Sequence, residues 1–449
     1  MAYFLLPVTM AILYIAQTCN ADMLTGQGNN LFGHKCSYFW RFPNTTIKTN
    51  YLMQFVQMDG NICNAMQFNY ISRHGARMPE TDDYASFGQL KTKIIEHSSN
   101  LLRYPFIQRW QNYRQSTHAH VEDLGRWELH YLGNFFGSGL YNLFHGNISP
   151  ATMKLTATER QRTQTSSIEF YKALSKRVTG KALNDIHPVV NNTMLRYWDN
   201  CPNYDLTILK NKTQMQQQYA FQNSSYFQNV IKSVTKKLEM NVSLTPDDIK
   251  AMFMICATDL AVRNNTDWCS LQTETEREII NYEGDLEDYY SLLYGHSLIK
   301  EMTCPLWQDL FSSMDDAISK HKSGEPYVLG NFRFGHSDTI DTFYSALGLY
   351  RDSQPLRADN FDTMKNRKFY ESKVTPFSAN IAFILYKCGG SGAENYLLKM
   401  MVNNQPVTIP GCDSDFCPYL KVRGIYRSYI ENCKWRELCS VKTISQIVG

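Results

Sequence analysis

Residues 65–79 of this chain read AMQFNYISRHGARMP, and they carry the clearest structural signal in the sequence. The first part, 65–72, holds apolar and aromatic residues and stops abruptly at a polar, glycine-containing turn, 73–77. A short hydrophobic run that ends at such a turn is typical of a buried strand followed by a loop. The stretch therefore predicts a core strand that delivers residues 73–77, here called the RHG loop.

Two later segments have the same strand character. An apolar run at 327–334 ends in Gly335-His336-Ser337-Asp338, and residues 339–350 behind it have helical spacing. Another run at 379–385 also has the composition of a core strand. Strand–loop–helix transitions of this kind predict an α/β sheet with its ligands at the carboxyl ends of the strands.

The middle of the chain differs from these segments. Residues 205–300 are charged and rich in Gln and Asn, with an amphipathic helical pattern at 282–294. A typical domain has about 150 residues, so a chain of 449 residues is expected to hold two or three domains. The predicted organisation is a signal peptide at 1–21, the first part of an α/β catalytic core at 22–175, a mainly helical cap at 176–320, and the second part of the core with a cysteine-rich end at 321–449.

Composition and the N-terminus indicate a folded, exported protein. Hydrophobic residues at 43% argue against disorder, and a net charge of +3 argues against a nucleic-acid-binding protein. The apolar run 4–16 is too short to span a bilayer of about 30 Å but suits a signal peptide cleaved after Ala21. No later stretch is apolar enough to span, and the final SQIVG resembles neither a lipid-anchor signal nor an ER-retention tetrapeptide. We therefore expect secretion, without membrane contact after cleavage.

Glycosylation sequons and cysteines agree with export. The sequons begin at Asn44, Asn147, Asn191, Asn211, Asn223, Asn241 and Asn264. Cleavage would remove Cys19 and leave eleven of the 12 cysteines. Their spacing favours disulfides over zinc, and their odd number leaves at least one thiol outside any disulfide within the chain. The neighbours Cys256/Cys269, Cys412/Cys417 and Cys433/Cys439 are candidates for short loops, although spacing does not settle the pairing.

The RHG loop has the residue types of a phosphate site. Arg73 and Arg77 carry permanent charges in a forked geometry that matches phosphate oxygens. Gly75 allows the backbone to approach a ligand, and a neutral His74 can attack phosphorus. The alternative is a basic surface loop with a solvated histidine.

RHGARMP matches the RHGxRxP pattern of the histidine acid phosphatases, and the chain most resembles their multiple inositol-polyphosphate phosphatase branch. The other similar segments follow in that branch's order: Leu124-Gly125-Arg126 with Glu128 and Leu132, 158–167 (TERQRTQTSS), 195–201 (LRYWDNC), Trp268-Cys269, 334–339 (FGHSDT), 367–369 (RKF) and 376–380 (PFSAN). The similarity runs from about Cys36 to Cys439. RHGxRxP with a late His-x-acid is specific, whereas the other segments are individually weak.

The resemblance implies a phosphoglycerate-mutase-like α/β core sandwiched by helices and a two-step phosphohydrolase without metal or cofactor. The implied roles are phosphate binding by Arg73, Arg77, Arg162 and His336, attack by His74 to form a phosphohistidine, and protonation of the leaving alkoxide by Asp338. The implied substrate is a small polyanionic phosphate ester, an inositol polyphosphate such as phytate, with 2,3-bisphosphoglycerate as a further candidate. The oligomeric state stays open.

Asp338 is the main departure from that branch, which has Glu at this place. An aspartate is one methylene shorter, and a misplacement of about 1 Å can cost roughly 100-fold in rate. Three interpretations therefore compete: an active enzyme with an adjusted pocket, a weak or substrate-restricted enzyme, and a secreted polyanion-binding protein. A histidine acid phosphatase of broad specificity is a further alternative.

Other candidates carry weaker signals. His118 and His120 form an HxH pair without an apparent third metal ligand, and Asp82-Asp83 is typical of a turn. Lys35, Lys154 and Lys368 are candidates for binding a polyanion or are ordinary surface lysines. Ser72 and Ser337 either bind phosphate or bond backbone groups.

Overall fold

The computed structural model describes residues 32–42, 51–58, 60–389 and 395–441, so the predicted signal peptide lies outside the described residues. Its central feature is a mixed sheet, which has nine strands within these ranges. The strands are β1 Phe55–Met58, β2 Asn61–Arg73, β3 Met153–Ala157, β4 Val189–Val190, β5 Gly330–Gly335, β6 Asn380–Lys387, β7 Tyr396–Val402, β8 Gln405–Val407 and β9 Phe416–Pro418.

The strand order brings three carboxyl ends to one edge. The order is β4-β3-β5-β2-β6-β7-β8, with β1 beside β2 and β9 beside β7. The pairs β4–β3, β3–β5 and β5–β2 are parallel, whereas β6 runs antiparallel to β2. The carboxyl ends of β2, β3 and β5 therefore meet, and β6 begins at the same edge because Ser72 pairs with Asn380.

Helices surround the sheet and fill the middle of the chain. The longer α-helices are α1 Thr81–His97, α2 Asp123–Gly139, α3 Gln161–Thr179, α4 Ser225–Lys237, α5 Pro246–Arg263, α6 Glu274–Asp288, α7 Cys304–Ser323 and α8 Ser337–Leu347. Short α-helices occur at Tyr38–Arg41, Tyr51–Gln54, Pro105–Arg109, Tyr141–Phe144, Asn192–Leu195, Pro202–Tyr204, Gln216–Gln222, Ser297–Glu301, Glu371–Val374, Tyr419–Ile425, Arg427–Glu431 and Trp435–Cys439.

The two faces of the sheet bury separate sets of side chains. Successive residues of a strand point to opposite faces, so Tyr70 and Ile71 of β2 enter different cores. Tyr70 stacks on Phe170 of α3 at 4.6 Å between ring centroids, in a core that also contains residues of α2. Ile71 lies in the core formed with α7 and α8. The predicted α/β core between helices is therefore confirmed.

Residues 191–329, between β4 and β5, are mainly helical, whereas the end of α3 and strand β4 of the central sheet lie inside the predicted 176–320 segment. No strand interrupts residues 191–329, which the structure describes throughout, and α7 continues to Ser323. Phe253 of this helical region and Ile381 of β6 share one hydrophobic core, so the division into core and cap stays a prediction. Across the described ranges, no helix combines the length and apolar character needed to cross a membrane.

The sequence-predicted strands are confirmed with shifted limits. The run at 65–72 forms β2, which begins earlier at Asn61, and the runs at 327–334 and 379–385 form β5 and β6. The helix expected at 339–350 is α8, which starts at Ser337 and ends before Gly348, where φ is +79°. Such a backbone favours glycine, which lacks the Cβ that strains other residues there.

Five disulfides are formed within the described residues. They join Cys63–Cys388, Cys201–Cys439, Cys256–Cys269, Cys304–Cys433 and Cys412–Cys417. The predicted pairs Cys256/Cys269 and Cys412/Cys417 are confirmed. The Cys433/Cys439 pair is wrong, because Cys439 ends the short helix Trp435–Cys439 and bonds Cys201, whereas Cys433 before that helix bonds Cys304. Buried Cys36 belongs to none of the five bridges.

Candidate active site

The carboxyl edge of the sheet collects most of the sequence-predicted site residues. The RHG loop follows β2, residues 158–162 follow β3, and His336 follows β5. Arg73 pairs with Gly335 in the register of β2 and β5, and the His74 amide donates to the Gly335 carbonyl at 3.1 Å. Segments far apart in the chain therefore meet here because their strands are neighbours in the sheet.

Glu128 of α2 forms hydrogen bonds to the RHG loop and to two neighbouring segments. Its Oε2 accepts from the Ala76 amide at 2.9 Å and from the Ser378 hydroxyl at 3.0 Å. Its Oε1 accepts from the Ser37 hydroxyl at 2.8 Å and from the Tyr38 amide at 2.9 Å. The side chain is fully buried, so burial raises its pKa although four donors favour the charged form. The sequence marked Glu128 only as part of a family pattern, and the four contacts identify its structural role.

His74 is oriented for nucleophilic chemistry. Its Nδ1 lies 2.9 Å from the Gly75 carbonyl, which can only accept, so Nδ1 carries the proton and Nε2 keeps its lone pair. Burial and the charges of Arg162 and Arg73 hold the pKa of His74 well below its usual range. The neutral imidazole, with its Nε2 lone pair available, is therefore favoured over the charged form.

Three arginines surround this histidine, and each has one donor without a partner in the described part of the chain. The Nε atoms of Arg73, Arg77 and Arg162 are all buried and make no hydrogen bond to the described residues. Arg333, which is equally buried, instead donates its Nε to Asp309 at 2.6 Å. A buried unpaired N–H costs free energy, so the three arginines, here called the arginine cluster, are suited to bind an anion.

The arginine cluster is also electrostatically crowded. Burial and mutual repulsion lower the pKa of Arg73 and of Arg162 to about 10. Arg73 donates to the Thr375 carbonyl at 2.6 Å, and its guanidinium lies 4.5 Å from the Phe377 ring centroid. An anion that entered the cluster would therefore relieve repulsion between positive charges.

His336 lies opposite His74, with ring centroids 5.5 Å apart. Its backbone precedes α8, and its amide donates to the Thr339 hydroxyl at 2.9 Å, which begins the helix. Its Nε2 lies 3.1 Å from the hydroxyl of Thr158, which follows β3. Burial and the nearby arginines, Arg162 first among them, hold the pKa of His336 well below its usual range.

Asp338 lies in the first turn of α8, half-buried at the same edge. The Ser337 hydroxyl donates to its Oδ2 at 3.3 Å. Its negative charge raises the pKa of Arg73 and so favours the charged guanidinium. The predicted proton donor is therefore close enough to interact electrostatically with the arginine cluster. A carboxylate in the first turn of a helix is also stabilised by the helix dipole.

Glu80 is a site residue that the sequence analysis did not identify. Its Oε1 accepts from Arg77 Nη2 at 2.7 Å and from Arg162 Nη2 at 3.2 Å. Burial would raise its pKa, but the charges of Arg77, Arg162 and Lys35 outweigh that effect and lower it. The sequence signal available was its place directly after RHGARMP, which does not by itself predict contact with an arginine 82 residues away.

The weaker candidates lie mostly outside this arrangement. Lys35 is buried and pairs with Asp83 at 3.1 Å, and burial lowers its pKa to about 8. Lys154 pairs with Asp309 at 3.4 Å, and Lys368 is exposed. The Ser72 hydroxyl donates to the Arg73 carbonyl at 2.9 Å and so bonds a backbone group.

The remaining motifs are at the surface. His118 and His120 are both exposed, and the described part of the chain contains no group of three or more potential metal ligands. Six sequon asparagines are exposed, namely Asn147, Asn191, Asn211, Asn223, Asn241 and Asn264. Asn44 lies outside the described residues.

Comparisons with known proteins agree with this geometry. The family model for the histidine phosphatase superfamily (branch 2) matches residues 66–403. The chain is 24% identical to multiple inositol polyphosphate phosphatase 1 of Gallus gallus, over 86% of this chain and 87% of that protein. It is also 24% identical to the Homo sapiens protein of the same name, over 84% and 82%. The crystal structure of a Bifidobacterium longum multiple inositol polyphosphate phosphatase with inositol hexasulfate shares the fold, with a TM-score of 0.71 at 14% identity, over 86% of this chain and 95% of that one.

Proposed function

Because this chain belongs to the histidine phosphatase superfamily (branch 2), we propose that it is a secreted phosphomonoesterase that hydrolyses inositol polyphosphates through a phosphohistidine intermediate. The observation that carries the proposal is the set of three buried arginine Nε donors, without partners in the described residues, around a neutral His74. Donors and nucleophile together fit a bound phosphoryl group. A purely anion-binding site would not need an imidazole whose Nε2 lone pair is available.

In the first step, His74 Nε2 attacks the phosphorus of a phosphate monoester. The N–P bond forms as the P–O bond to the alcohol breaks, and the carboxylic acid of Asp338 gives its proton to the leaving alkoxide oxygen. The arginine cluster and His336 bind the phosphoryl oxygens, whose charge spreads in the transition state. The Nδ1 proton on the Gly75 carbonyl holds the ring in place and stabilises the charge that His74 acquires.

In the second step, water attacks the phosphohistidine. The carboxylate of Asp338 accepts a proton from the water, the new P–O bond forms, and the N–P bond breaks to release inorganic phosphate. His74 returns to its neutral form and Asp338 to its acid form, so the cycle closes without metal or cofactor.

The surroundings of the arginine cluster support a polyanionic substrate. Arg160 and Arg196 also lower the pKa of Arg162, so basic side chains extend beyond the residues assigned to the scissile phosphate, with Glu159 paired to both of them. Relatives named multiple inositol polyphosphate phosphatase cover most of this chain. An inositol polyphosphate brings further phosphates to such a positive surface, which a small ester does not.

Phosphate release from phytate and from p-nitrophenyl phosphate across pH 4 to 8 tests the function. We expect faster turnover of phytate, abolished by His74→Ala, and alkali-quenched protein that carries ³²P from labelled substrate only when His74 is present, because the N–P bond of a phosphohistidine survives alkali and not acid. Release from the small ester alone would favour a broad-specificity acid phosphatase instead. Tight phytate binding without release or labelling would identify a polyanion-binding protein.

Secretion has its own test. Expressed in insect cells with its native N-terminus, the protein should appear in the medium, begin at Asp22 and lose mass on treatment with an N-glycosidase. Intracellular protein that keeps residues 1–21 would contradict secretion and leave the enzymatic proposal intact.

A further inference from the structure

Glu80 contacts two of the arginines that the proposed function assigns to phosphate, through their Nη2 atoms and not through the unpaired Nε atoms. One oxygen, Oε1, accepts from Nη2 of Arg77 at 2.7 Å and from Nη2 of Arg162 at 3.2 Å. The third arginine of the cluster, Arg73, instead donates to the Thr375 carbonyl. Two of the three cluster arginines are therefore bridged by a single carboxylate of the protein itself.

The backbone of Glu80 is held firmly, whereas its side chain is accessible. The Glu80 amide donates to Asp83 Oδ2 at 3.0 Å, and the buried Lys35 donates to the same oxygen at 3.1 Å. The side chain of Glu80 is 46% exposed. The Glu80 side chain also accepts from the Asp83 amide in the capping box of α1, so its rotation into solvent gives up that contact as well, while Asp83 still holds the Glu80 amide.

A carboxylate and a phosphate make the same kind of bond to a guanidinium group, a charge-assisted hydrogen bond from planar N–H donors. The pKa of Glu80 is lowered by Arg77, Arg162 and Lys35 against the opposing effect of burial, so the carboxylate stays charged at neutral pH. A phosphate that binds Arg77 or Arg162 through the fork of Nε and Nη2 finds Nε free but Nη2 bonded to Glu80, so it competes with this carboxylate for the second donor of each fork.

We propose that Glu80 is an internal competitor for phosphate, which occupies Arg77 and Arg162 until substrate displaces it and which limits how tightly the product phosphate is held. The inference rests on the proposed function, because it names a residue that sets affinity at that site. The free energy needed to move Glu80 off the two arginines does not depend on which ligand replaces it. It therefore raises the Kd of every ligand of these arginines by the same factor. Weaker binding of inorganic phosphate in turn speeds product release.

The test is the affinity for inorganic phosphate, measured by isothermal titration calorimetry on the full-length protein at fixed pH and ionic strength. Glu80→Gln should lower the Kd by about 3- to 30-fold, since charge-assisted bonds at a half-exposed site are released. The inhibition constant of phosphate should fall by the same factor, and so should the Kd for inositol hexasulfate, which binds without being hydrolysed as a phosphate ester.

Asp82→Asn is the matched control, because it removes one negative charge from an exposed side chain in the first turn of the same helix. We expect its Kd for phosphate to stay within about twofold of the wild type, as the charge of an exposed side chain is screened. If Glu80→Gln folds poorly, Glu80→Ser removes the carboxylate and keeps a residue that caps α1 well.

Unchanged or weaker phosphate binding in a folded Glu80 variant would overturn the proposal and assign Glu80 the role of holding the arginines in position. An equal gain in Asp82→Asn would reduce the effect to net charge and also overturn it. Phosphate binding that strengthens in Glu80→Gln while the wild type releases no phosphate from any ester would instead contradict the proposed function and leave this inference standing.

Discussion

Gly75 of the RHG loop and Gly125 of α2 lie backbone against backbone. A Cβ on Gly75 would lie 2.4 Å from the Gly125 carbonyl oxygen, and a Cβ on Gly125 would lie 2.2 Å from the Ala76 carbonyl oxygen. Both distances are far below van der Waals contact, so a side chain at either position has to displace backbone. Since His74 precedes Gly75 directly, this contact determines where the nucleophile lies relative to the arginine cluster.

Gly125→Ala is expected to reduce both stability and turnover. The added methyl group pushes the RHG loop away from α2 at a cost of about 3 kcal/mol in the free energy of unfolding, and a displacement of about 1 Å at His74 lowers kcat roughly 100-fold. Urea unfolding and phosphate release, with activity corrected for the folded fraction, measure the two effects.

Gly284→Ala in α6 is the control, because a Cβ there meets no atom within 4 Å. It should stabilise the protein by about 0.5–1 kcal/mol through helix propensity and leave kcat unchanged. Equal behaviour of the two variants would show that close packing at Gly125 has no importance.

Glu128→Gln should displace the RHG loop by another route. The amide offers one acceptor oxygen in place of two, so donors from Ala76 and Ser378 or from Ser37 and Tyr38 lose their partner, at a cost of about 3 kcal/mol. Because one of these donors belongs to the loop, we expect kcat to fall at least about tenfold with little change in KM.

Glu283→Gln provides the comparison for Glu128. Glu283 is equally buried, and its Oε1 accepts from Gln218, Gln222 and Lys250 of the helical region, so the substitution removes a buried charge that pairs with Lys250. This variant should lose stability and keep its kcat per folded molecule. A parallel loss of kcat in both variants would indicate that Glu128 acts through general stability alone.

The lowered pKa of His74 predicts a specific pH dependence of stability. The folded protein keeps His74 neutral, whereas the unfolded chain protonates it below about pH 6.5. The unfolded state then binds more protons, so this contribution to stability is complete above pH about 6.5 and is lost as pH falls, with a slope of up to about 1.4 kcal/mol per pH unit.

Urea unfolding at pH 7, 6 and 5 measures that slope. His74→Gln lacks the titrating group, so its stability should fall less steeply with acidification than that of the wild type. Parallel lines for the two proteins would mean that folded His74 titrates near its ordinary pKa.

The rate loss on removal of Asp338 should be larger for substrates whose leaving group needs protonation. Asp338→Asn removes the proton donor and should lower turnover of phytate by about 100- to 10,000-fold. The loss for p-nitrophenyl phosphate should be much smaller, because nitrophenolate leaves without protonation. Rates on both substrates in one preparation check this, and equal losses would remove Asp338 from the role of acid.

Asp338→Glu separates the interpretations of the shorter side chain. If an aspartate at this place is merely one methylene short, glutamate should retain or raise turnover. A loss as complete as that of Asp338→Asn would mean that the pocket is adjusted to aspartate.

The sequence predicted what depends on local pattern. The hydrophobic run at 65–72 and the polar turn behind it were sufficient for β2 and the RHG loop, because burial and a glycine turn are expressed within a few residues. The Cys433/Cys439 prediction failed for the opposite reason, since a disulfide depends on the positions of chain segments in space and not on spacing along the chain.

The residue types alone thus indicated the chemistry of the site, through a histidine between two arginines and a His-x-Asp late in the chain. The relationships among those residues arise from packing. Glu80 reaches Arg162 because β3 and β2 flank β5, and Glu128 reaches Ala76 because α2 packs against the loop. These contacts join residues 52 and 82 positions apart, and no periodicity or local propensity encodes such distances. They form only when burial of both faces of the sheet brings the strand ends together.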